Sequence, residues 1–547
     1  MKCPAPRQNE PHGNGQARPV RHARQRPRTW RFRPARRLTV RALAAGTLIA
    51  ALAPVTTAAG ASERSAPPAA INWAACGSQL ECARVSVPLD WAHPGGRVIT
   101  LSVIRHPASH PDQRIGSLFV NPGGPGDSGV TAVAEQGGAL DAITGGRFDI
   151  VGWDPRGSGG STPVSCFASS AEREAFWQGV PVPTTRQDEQ RYLAKSVALA
   201  QRCGARNGDL LAHISTADTA RDLDYLRGLV GDSRLNFYAE STGSFLGETY
   251  ANMFPHRVRA MALDGVEDPV SYTADLATVL ASILSSTDQV FHEFLALCER
   301  VGPASCALAG HGPVEKRVET MLRQLRHHPI PAPSAEPPGE LTYGEALTLL
   351  KLALLPNPVI WRDAAGMIDA MVQGDASAAE TIVRGSAAEP FHRAFEQNTA
   401  LLCADSPARQ NAGQWPQVVH RLEGVSRIGG PVMGWLEAAC AAWPTRSADR
   451  YTGPWNAATA NPILLIGTRF DPTTPLANAK LVERRLGNAV LLTHDGYGHV
   501  SRADPSTCVM QALGRYFTGL STPARGTICP SDRGPFDPDF GQPAASR

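Results

Sequence analysis

The hydrophobic pattern of the chain is dominated by short apolar runs that end abruptly at Gly, Pro, Asp or Ser. Six of them stand out, at residues 117–120, 148–153, 235–239, 258–263, 462–466 and 489–493. Apolar strands without polar alternation are typical of a parallel sheet that is buried on both faces. A helical pattern at residues 217–229 lies between two of the runs and indicates β-α-β connections. The pattern therefore predicts a mostly parallel α/β sheet, whose functional loops follow the carboxyl ends of its strands.

A long middle segment, residues 272–455, has a different pattern. Its apolar residues recur at the 3.6-residue spacing of helices, and a Pro-rich link interrupts them at residues 329–338. We therefore predict a helical cap inserted between two halves of one sheet. The first half lies in residues 62–271, and the second half, with a C-terminal tail, lies in residues 456–547. The tail after Thr527 is rich in Pro, Asp and Gly and is expected to wrap the surface or to fray.

The first 61 residues have the three parts of an export signal. Residues 1–41 hold twelve Lys or Arg and one acid, residues 42–53 form a short apolar run, and small residues follow. The apolar run is far shorter than the roughly 20 residues that span a bilayer, so a secretory signal is favoured over a retained anchor. The pair Arg36-Arg37 leaves a twin-arginine route open.

The net charge supports the same division of the chain. The whole chain has a formal charge of +3, but the basic leader contributes +11, so the residues after Ala61 carry −8. A mature protein of that sign has no electrostatic attraction to nucleic acid or to an anionic membrane. We therefore expect a secreted protein, extracellular or associated with the cell wall, with no nucleic-acid partner and no stable membrane anchor.

Ten cysteines are left after removal of the leader, which contains Cys3. An even number in an exported chain favours disulfide bonds, and pairing of sequential neighbours would give five short-range bridges. The connectivity is not readable from the sequence, and buried free thiols are the alternative. None of the ten has the Cys-x-x-Cys or Cys/His spacing of a zinc site, so no metal is expected.

Ser241 lies between a predicted strand and a predicted helix, in the sequence FYAESTG. This is the setting of a nucleophile elbow, a tight turn that exposes a serine hydroxyl and needs small residues around it. Ala239 stands where the motif prefers glycine, so the pattern GxSxG is not strictly matched. Gly243 and Gly247 would let the following helix pack close against the sheet. Ser241 is the candidate nucleophile.

An acid and a histidine follow the last two predicted strands. A serine hydroxyl needs a histidine to remove its proton, and that histidine needs a carboxylate to fix its tautomer and stabilise its charge. Asp471 follows the fifth apolar run by a short loop, and His499 lies in the Gly-rich turn HDGYGH after the sixth. The order Ser, Asp, His is that of the α/β-hydrolase fold. The alternatives for the acid and the base are Asp264, His494 and Asp495.

A glycine-rich loop, NPGGPG at residues 121–126, follows the first predicted strand. Acyl transfer needs donors aimed at the oxygen that becomes negative, and a loop without side chains lets a backbone amide reach the substrate. We predict that the amides of Gly124 and Thr242 form this oxyanion hole. A phosphate-binding loop is the alternative, but no GK[ST] follows. Asp154 and Arg156, in the next glycine-rich loop, are expected to brace the loops.

These motifs together resemble one branch of the α/β-hydrolases. GGPG after a strand, DPRGSGGS after the next, the serine elbow, LDGV, FDPTTP and GYGH are similar to the tripeptidyl and prolyl aminopeptidases. VPLDW, LLCADSP and CAAWP resemble the secreted tripeptidyl aminopeptidases in particular. The resemblance implies an α/β-hydrolase fold, a helical cap over the site, and catalytic roles for Ser241, Asp471 and His499. It also implies release of short peptides from a free amino terminus, without metal or organic cofactor.

Two acids are candidates for binding the substrate. Glu240, directly before Ser241, departs from the family pattern, as do Ala239 and Thr242. It could bind an amino terminus, bind a carboxylate as a similarly placed glutamate does in serine carboxypeptidases, or only hydrogen-bond the surrounding loops. Asp405, in CADSP of the helical segment, could bind a substrate amine or serve as a helix cap or loop residue.

The sequence therefore predicts an exported serine exopeptidase that releases short peptides, tripeptides by its resemblance, through an acyl-enzyme on Ser241. A carboxylesterase or lipase-like hydrolase is an alternative, because the same triad cleaves esters more readily than amides. A serine carboxypeptidase-like exopeptidase and an inactive hydrolase fold that serves as a binding protein are two more. Peptide substrates and no cofactor are expected, and the oligomeric state is not predicted.

Overall fold

The computed structural model describes residues 70–177, 182–386, 390–447 and 449–540. The predicted leader, residues 1–61, lies outside this part of the chain. The strands within it are β1 (Ala74–Gly77), β2 (Leu80–Pro88), β3 (Val98–His106), β4 (Gly116–Asn121), β5 (Phe148–Trp153), β6 (Leu235–Glu240), β7 (Val258–Asp264), β8 (Ile330–Ala332), β9 (Gly339–Leu341), β10 (Ile463–Phe470), β11 (Ala489–Tyr497) and β12 (Ile528–Pro530).

The α-helices of the same part are α1 (Gly129–Ile143), α2 (Ser170–Trp177), α3 (Arg186–Asn207), α4 (Thr216–Leu229), α5 (Thr242–Met253), α6 (Pro269–Ala274), α7 (Leu276–Leu284), α8 (Thr287–Val301), α9 (Val314–Leu325), α10 (Tyr343–Thr348), α11 (Trp361–Val372), α12 (Ser377–Ser386), α13 (Pro390–Asp405), α14 (Trp415–Glu423), α15 (Gly429–Leu436), α16 (Leu476–Arg485) and α17 (Thr507–Gly519). A π-helical turn, Leu349–Leu354, continues α10. Among these helices, none combines the length and the apolar composition of a membrane span.

Ten strands form one sheet in the order β1-β2-β3-β5-β4-β6-β7-β10-β11-β12. The seven strands β5, β4, β6, β7, β10, β11 and β12 are parallel to their neighbours in this series. The pairs β1–β2, β2–β3 and β3–β5 are antiparallel. The chain runs from β4 to β5 on one side and returns to the other side of β4 with β6. At such a reversal of strand order, the carboxyl ends of the strands flank a crevice in which α/β sheets bind ligands.

All six predicted apolar runs are strands of this sheet, and β5 has the predicted bounds. They lack polar alternation because helices cover both faces. Leu118 and Val120 of β4 pack with residues of α1 and α17, and Phe119 between them packs on the opposite face with residues of α4 and α5. Burying each of these side chains contributes about 1.5–3 kcal/mol to folding.

The chain between β7 and β10 is mostly helical, from α6 to α15. We call residues 272–455 the inserted segment. The Pro-rich link within it is more ordered than the sequence suggested, because β8 and β9 pair there as an antiparallel hairpin. Pro331 is tolerated because this hairpin has only edge strands. Two hydrophobic clusters fill the segment, one built around Trp361 and one around Trp415 and Trp435.

Five disulfide bonds join the ten cysteines in sequential pairs, Cys76–Cys82, Cys166–Cys203, Cys298–Cys306, Cys403–Cys440 and Cys508–Cys529. The tail after Thr527 follows the surface in part, as expected, but its described residues do not form a frayed end. Ile528–Pro530 adds the edge strand β12 to the sheet, and Phe536 is buried against Phe294 and Trp361 of the inserted segment. The described part of the tail is therefore anchored at these two points, while Asp532 and Asp537 stay exposed.

Candidate active site

Ser241 lies at the sharp turn from β6 into α5. Its φ of 57° and ψ of −130° lie outside the regions that L residues usually adopt, which is the strained geometry of a nucleophile elbow. The Ser241 amide donates to the carbonyl oxygen of Asp264 (2.8 Å), and the Ser244 hydroxyl donates to the Ser241 carbonyl (2.6 Å). The turn is thus fixed by backbone contacts at the end of the neighbouring strand β7.

Two glycines leave the steric room that this turn needs. A methyl group on Gly243 would lie 2.6 Å from Asn121 Oδ1 and 3.2 Å from Ala239 Cβ. A methyl group on Gly123 would lie 2.5 Å from the carbonyl oxygen of Glu240. Ala239, where the motif prefers glycine, is therefore accommodated because Gly243 has no side chain opposite it.

The glycine-rich loop after β4 lies beside the serine turn. Asn121 pairs with Ala239 in the sheet, and a methyl group on Gly123 would lie 3.0 Å from the Thr242 nitrogen. Thr242 is the first residue of α5, so its amide has no partner inside the helix, and the positive end of the helix dipole points toward this space. The structure brings the Gly124 loop and the Thr242 amide together, and their role as oxyanion donors stays a prediction.

Asp471 follows β10 and is fully buried. Its oxygens accept hydrogen bonds from the amides of Thr473 (2.8 Å) and Thr474 (2.8 Å) and from the Thr474 hydroxyl (2.7 Å). Burial by itself would raise the pKa of Asp471, but His499 and Thr474 together hold that pKa below its usual value. The carboxylate is therefore ionised and fixed in orientation.

His499 lies against this carboxylate. Its Nδ1 is 3.1 Å from each Asp471 oxygen and 3.3 Å from the Thr474 hydroxyl, and its amide donates to the Pro356 carbonyl (2.9 Å). Burial lowers the pKa of His499, but the Asp471 carboxylate outweighs burial and the pKa is raised. A carboxylate on Nδ1 fixes the tautomer that leaves Nε2 as a proton acceptor.

Ser241 and His499 both lie near the end of β7. A methyl group on Gly265 would lie 3.6 Å from His499 Cε1, and the preceding residue, Asp264, accepts the Ser241 amide. Within the described contacts, no hydrogen bond joins the Ser241 hydroxyl to His499 directly. Such bonds are often long until the substrate is bound. The structure thus places Ser241, His499 and Asp471 at one edge of the sheet, and their roles as nucleophile, base and acid stay predictions.

The alternative residues have other partners. His494 is fully buried with its Nδ1 3.3 Å from the Thr468 hydroxyl, and burial lowers its pKa to about 4. Asp495 pairs with Arg469 at the surface. Asp264 accepts the amide and hydroxyl of Ser501. The structure therefore joins Asp471 to His499.

The two substrate-binding candidates are both engaged within the protein. Glu240 is buried and accepts from Arg502 Nε (3.1 Å), Arg502 Nη2 (2.9 Å) and the Tyr238 hydroxyl (3.0 Å). Asp405 accepts from the amide (3.0 Å) and the hydroxyl (2.6 Å) of Thr216, at the start of α4. These contacts are of the kind that the loop-bonding and helix-capping alternatives require, and a substrate-binding role for either acid stays a prediction.

Asp154 and Arg156 brace the loops around the site. Arg156 is fully buried, donates to both oxygens of Asp222 (2.7 and 2.6 Å) and also bonds three backbone carbonyls. Asp154 accepts from the Ser128 hydroxyl (2.6 Å) and the Gly160 amide (2.6 Å). Asp154 and Arg156 therefore stabilise different parts of the backbone around the site.

Two buried charged residues near the site escaped the sequence analysis. Lys351 Nζ donates to the Pro472 carbonyl (2.8 Å), and burial lowers its pKa to about 8 against the pull of Asp471 and Glu267. Burial raises the pKa of Glu267 to about 8, partly offset by His499. The sequence did carry a signal for Lys351, because it is a single lysine within the apolar run LTLLKLALL. The sequence does not indicate which loop the side chain of this lysine contacts.

The described residues contain no cluster of three or more His, Cys, Asp or Glu side chains arranged to hold a metal ion. The groups that the structure does bring together at this edge of the sheet are the Ser241 hydroxyl, the His499 imidazole and the Asp471 carboxylate.

Comparison with known proteins places the chain in a family. Residues 116–304 match the family model of the alpha/beta hydrolase fold, and residues 426–529 match that of TAP-like protein. Serine protease Hip1 of Mycobacterium tuberculosis is 28% identical over 82% of this chain and 87% of its own. Tripeptidyl aminopeptidase of Streptomyces coelicolor is 29% identical over 84% of this chain and 86% of its own.

A third relative, Carboxylesterase B of Mycobacterium tuberculosis, is 32% identical over 82% of this chain and 86% of its own. The two family models match parts of both halves of the sheet and of the inserted segment, and they agree with the observed fold. The chain belongs to the TAP-like family of α/β-hydrolases and is a serine hydrolase.

Proposed function

We propose that the protein is an exported serine exopeptidase that releases short peptides, tripeptides foremost, from free amino termini through an acyl-enzyme on Ser241. The observation that carries the proposal is the contact between His499 and the buried Asp471, next to the strained turn of Ser241. A serine hydrolase needs this pairing because a neutral imidazole must take the serine proton.

The proposed reaction has two halves. His499 Nε2 takes the proton of the Ser241 hydroxyl as its oxygen attacks the scissile carbonyl, and the amides of Gly124 and Thr242 bind the oxygen that becomes negative. The imidazolium, stabilised by Asp471, then gives its proton to the departing amine, and the peptide bond breaks. Water, deprotonated by His499, attacks the ester carbonyl, and the proton returns to Ser241 as the peptide leaves.

The exopeptidase part of the proposal draws on the relatives and on the inserted segment. One relative at 29% identity is named a tripeptidyl aminopeptidase. The inserted segment contacts both candidate catalytic loops, since Ser286 Oγ donates to the Asp471 carbonyl (2.6 Å) and the Pro356 carbonyl accepts the His499 amide (2.9 Å). A cover over the site would limit access to the ends of peptides.

Export is part of the same proposal. The basic, apolar and small-residue stretches of the first 61 residues support it, and so do the five disulfide bonds, because such bonds persist in oxidising compartments. Fractionating a culture of the source cells tests it, with the protein expected outside the cytoplasm and shortened by its leader.

A carboxylesterase is the second candidate function, because one relative at 32% identity is named Carboxylesterase B. The same nucleophile, base and oxyanion donors would cleave an ester. The serine carboxypeptidase-like alternative gains less support, because both oxygens of Glu240 already accept hydrogen bonds from Arg502.

One experiment separates these functions. The purified protein and its Ser241→Ala variant are incubated with one peptide in three forms, with both ends free, with the amino end acetylated and with the carboxyl end amidated, and with a short-chain ester. We expect tripeptides from the free and amidated forms, none from the acetylated form, and no reaction with the variant. Equal cleavage of the acetylated form would contradict the aminopeptidase, and turnover of the ester alone would favour the esterase.

A further inference from the structure

The loop after His499 begins with a residue in an unusual conformation. Val500 has φ 63° and ψ 158°, and a β-branched residue rarely adopts a positive φ. Such a conformation persists only where the surrounding contacts fix it. The contacts that hold this loop in place therefore begin directly after His499.

The first two residues of the loop are each held by a buried carboxylate. The Val500 amide donates to Asp471 Oδ2 (3.2 Å). The Ser501 amide donates to both oxygens of Asp264 (3.1 and 3.2 Å), and the Ser501 hydroxyl donates to the same carboxylate. Asp471 and Asp264 come from the ends of the adjacent strands β10 and β7.

Arg502, the third residue of the loop, is held by Glu240. Nε and Nη2 of Arg502 donate to the two oxygens of Glu240 at 3.1 and 2.9 Å, the parallel two-bond geometry that fixes a guanidinium most firmly. Glu240 faces Asp264 in the register of β6 and β7, and the Tyr238 hydroxyl is within hydrogen-bond distance of both acids. Three consecutive loop residues thus bind three carboxylates on three consecutive strands.

Burial makes the Glu240 contact a strong constraint. The Glu240 side chain is 5% exposed and the Arg502 side chain 53% exposed. A buried carboxylate that loses its cation is left uncompensated, so the loop is drawn toward Glu240. The backbone of Glu240 also leads directly into Ser241, so a single residue contacts both the serine turn and the histidine loop.

We propose that Glu240 is a positioning residue, which holds the loop of His499 through Arg502 so that the imidazole stays between Asp471 and Ser241. This inference rests on the proposed catalytic role of His499. It gives Glu240 a role in the reaction without contact with the substrate, and it explains why an acid directly before the nucleophile is useful in this chain.

The test compares three variants with a matched control. Arg502→Met and Glu240→Gln remove the ion pair, and Arg502→Lys keeps the charge but not the two-bond geometry. Arg427→Met is the control, because Arg427 is similarly exposed (51%) and makes the same two-bond contact with Glu319 inside the inserted segment. Circular dichroism and thermal unfolding establish that each variant is folded.

The measured quantities are kcat and KM for peptide cleavage and the rate of fluorophosphonate labelling, each as a function of pH. We expect Arg502→Met and Glu240→Gln to lower kcat and the labelling rate about 10- to 100-fold with KM within about twofold, because a displacement of about 1 Å costs about that much. Arg502→Lys should recover part of the loss, and Arg427→Met should behave as the wild type.

The pH profile distinguishes positioning from a loss of stability. His499 is faced by Asp471 after β10, by Glu267 after β7, by Asp127 after β4 and by Lys351 of the inserted segment. None of these four groups is replaced in Arg502→Met, but Arg502 also faces Asp264, whose pKa burial raises to about 7. Loss of the cation would raise the pKa of Asp264 further, so a limb that followed Asp264 would move to higher pH. A loop that moves His499 away from Asp471 lowers the pKa of the imidazole, so the acid limb of the profile should move to lower pH. In a variant that is only less stable, the limb stays in place.

Two results would overturn the inference and leave the proposed function intact. Folded Arg502→Met and Glu240→Gln proteins with the kcat and acid limb of Arg427→Met would show that the loop does not depend on the ion pair. A rise in KM at unchanged kcat would show that Glu240 binds the substrate instead. A wild-type protein that neither cleaves peptides nor reacts with the fluorophosphonate would contradict the proposed function itself, and this inference would fall with it.

Discussion

The turn that carries Ser241 and the loop that carries His499 lie at the same edge of the sheet, but they are held in different ways. The serine turn is fixed by its own backbone and by the absence of side chains at Gly123 and Gly243. The histidine loop is fixed by charged side chains, because three carboxylates bind its backbone and Arg502. The serine turn therefore depends on the free volume around its backbone, and the histidine loop depends on electrostatic contacts.

The difference decides how each region should respond to change. The serine turn should be sensitive to the volume of nearby residues and insensitive to pH. The histidine loop should be sensitive to the loss of a charge and should tolerate a change of side-chain volume at Val500. Four predictions follow from this contrast, from the largest effect to the smallest.

Asp471→Asn should have the largest effect, because it disables the charged partner of the histidine. An amide on Nδ1 favours the wrong imidazole tautomer, which costs about 10³- to 10⁴-fold in kcat in enzymes with this arrangement. Steady-state cleavage of a peptide measures the loss, with KM and circular dichroism as controls for binding and folding. A loss below tenfold would mean that Asp471 is not the acid of the site.

Gly243→Ala should break the serine turn by volume alone. The added methyl group would lie 2.6 Å from Asn121 Oδ1, so the turn or the loop after β4 must shift. We expect about a 10- to 100-fold loss of kcat/KM and a loss of about 1–3 kcal/mol in the free energy of unfolding.

Gly228→Ala is the matched control for this change. Gly228 also lies in a helix, and a methyl group there meets nothing within 4 Å. It should leave activity unchanged and raise stability by about 1 kcal/mol. Equal behaviour of the two variants would show that the space at Gly243 is not limiting.

The pH dependence of activity should come from the histidine loop only. In the proposed reaction His499 acts as a base only when it is neutral, and Asp471 raises its pKa above the ordinary 6.5. Activity should therefore rise as the pH rises through a value above about 6.5. Gly243→Ala should lower kcat/KM at every pH without moving this limb. A limb that moves in Gly243→Ala would contradict the separation of the two regions.

Val500→Gly should have the smallest effect, although it removes a buried side chain. Glycine adopts a positive φ at no steric cost, and relief of about 1–3 kcal/mol of strain offsets the lost burial. We expect a change within about 1 kcal/mol in the free energy of unfolding. Val490→Gly, at a buried position of β11 without such strain, should cost about 2–4 kcal/mol. Equal losses in urea unfolding would argue against strain at Val500.

The sheet was largely predictable because its strands are buried on both faces. Apolar runs such as residues 148–153 and 258–263 favour strands over helices because they are short and are followed by loops that contain glycine. The antiparallel strands β2 and β3 were not predicted, because they lie toward the edge of the sheet and their sequences mix polar and apolar residues. Strand β12 was missed because three residues next to a disulfide in a Pro-rich tail carry no periodic signal.

The site was predictable to the extent that it is local in sequence. Ser241 and the glycines around it are adjacent along the chain, and the order of acid and histidine follows from the fold. The partner of Glu240 was not predictable, because Arg502 lies 262 residues further along the chain. Only the order of the four strands β6, β7, β10 and β11 in the sheet brings these two side chains together, and no pattern within one strand contains that information.

The most direct test of the central claim is to identify the residue that a fluorophosphonate modifies. The wild-type protein is labelled to completion, digested, and analysed by mass spectrometry, beside Ser241→Ala and the control Ser285→Ala, which removes an exposed serine of the inserted segment. We expect one adduct per chain, on Ser241, absent from Ser241→Ala and retained in Ser285→Ala. An adduct on any other residue, or labelling that survives Ser241→Ala, would contradict the claim.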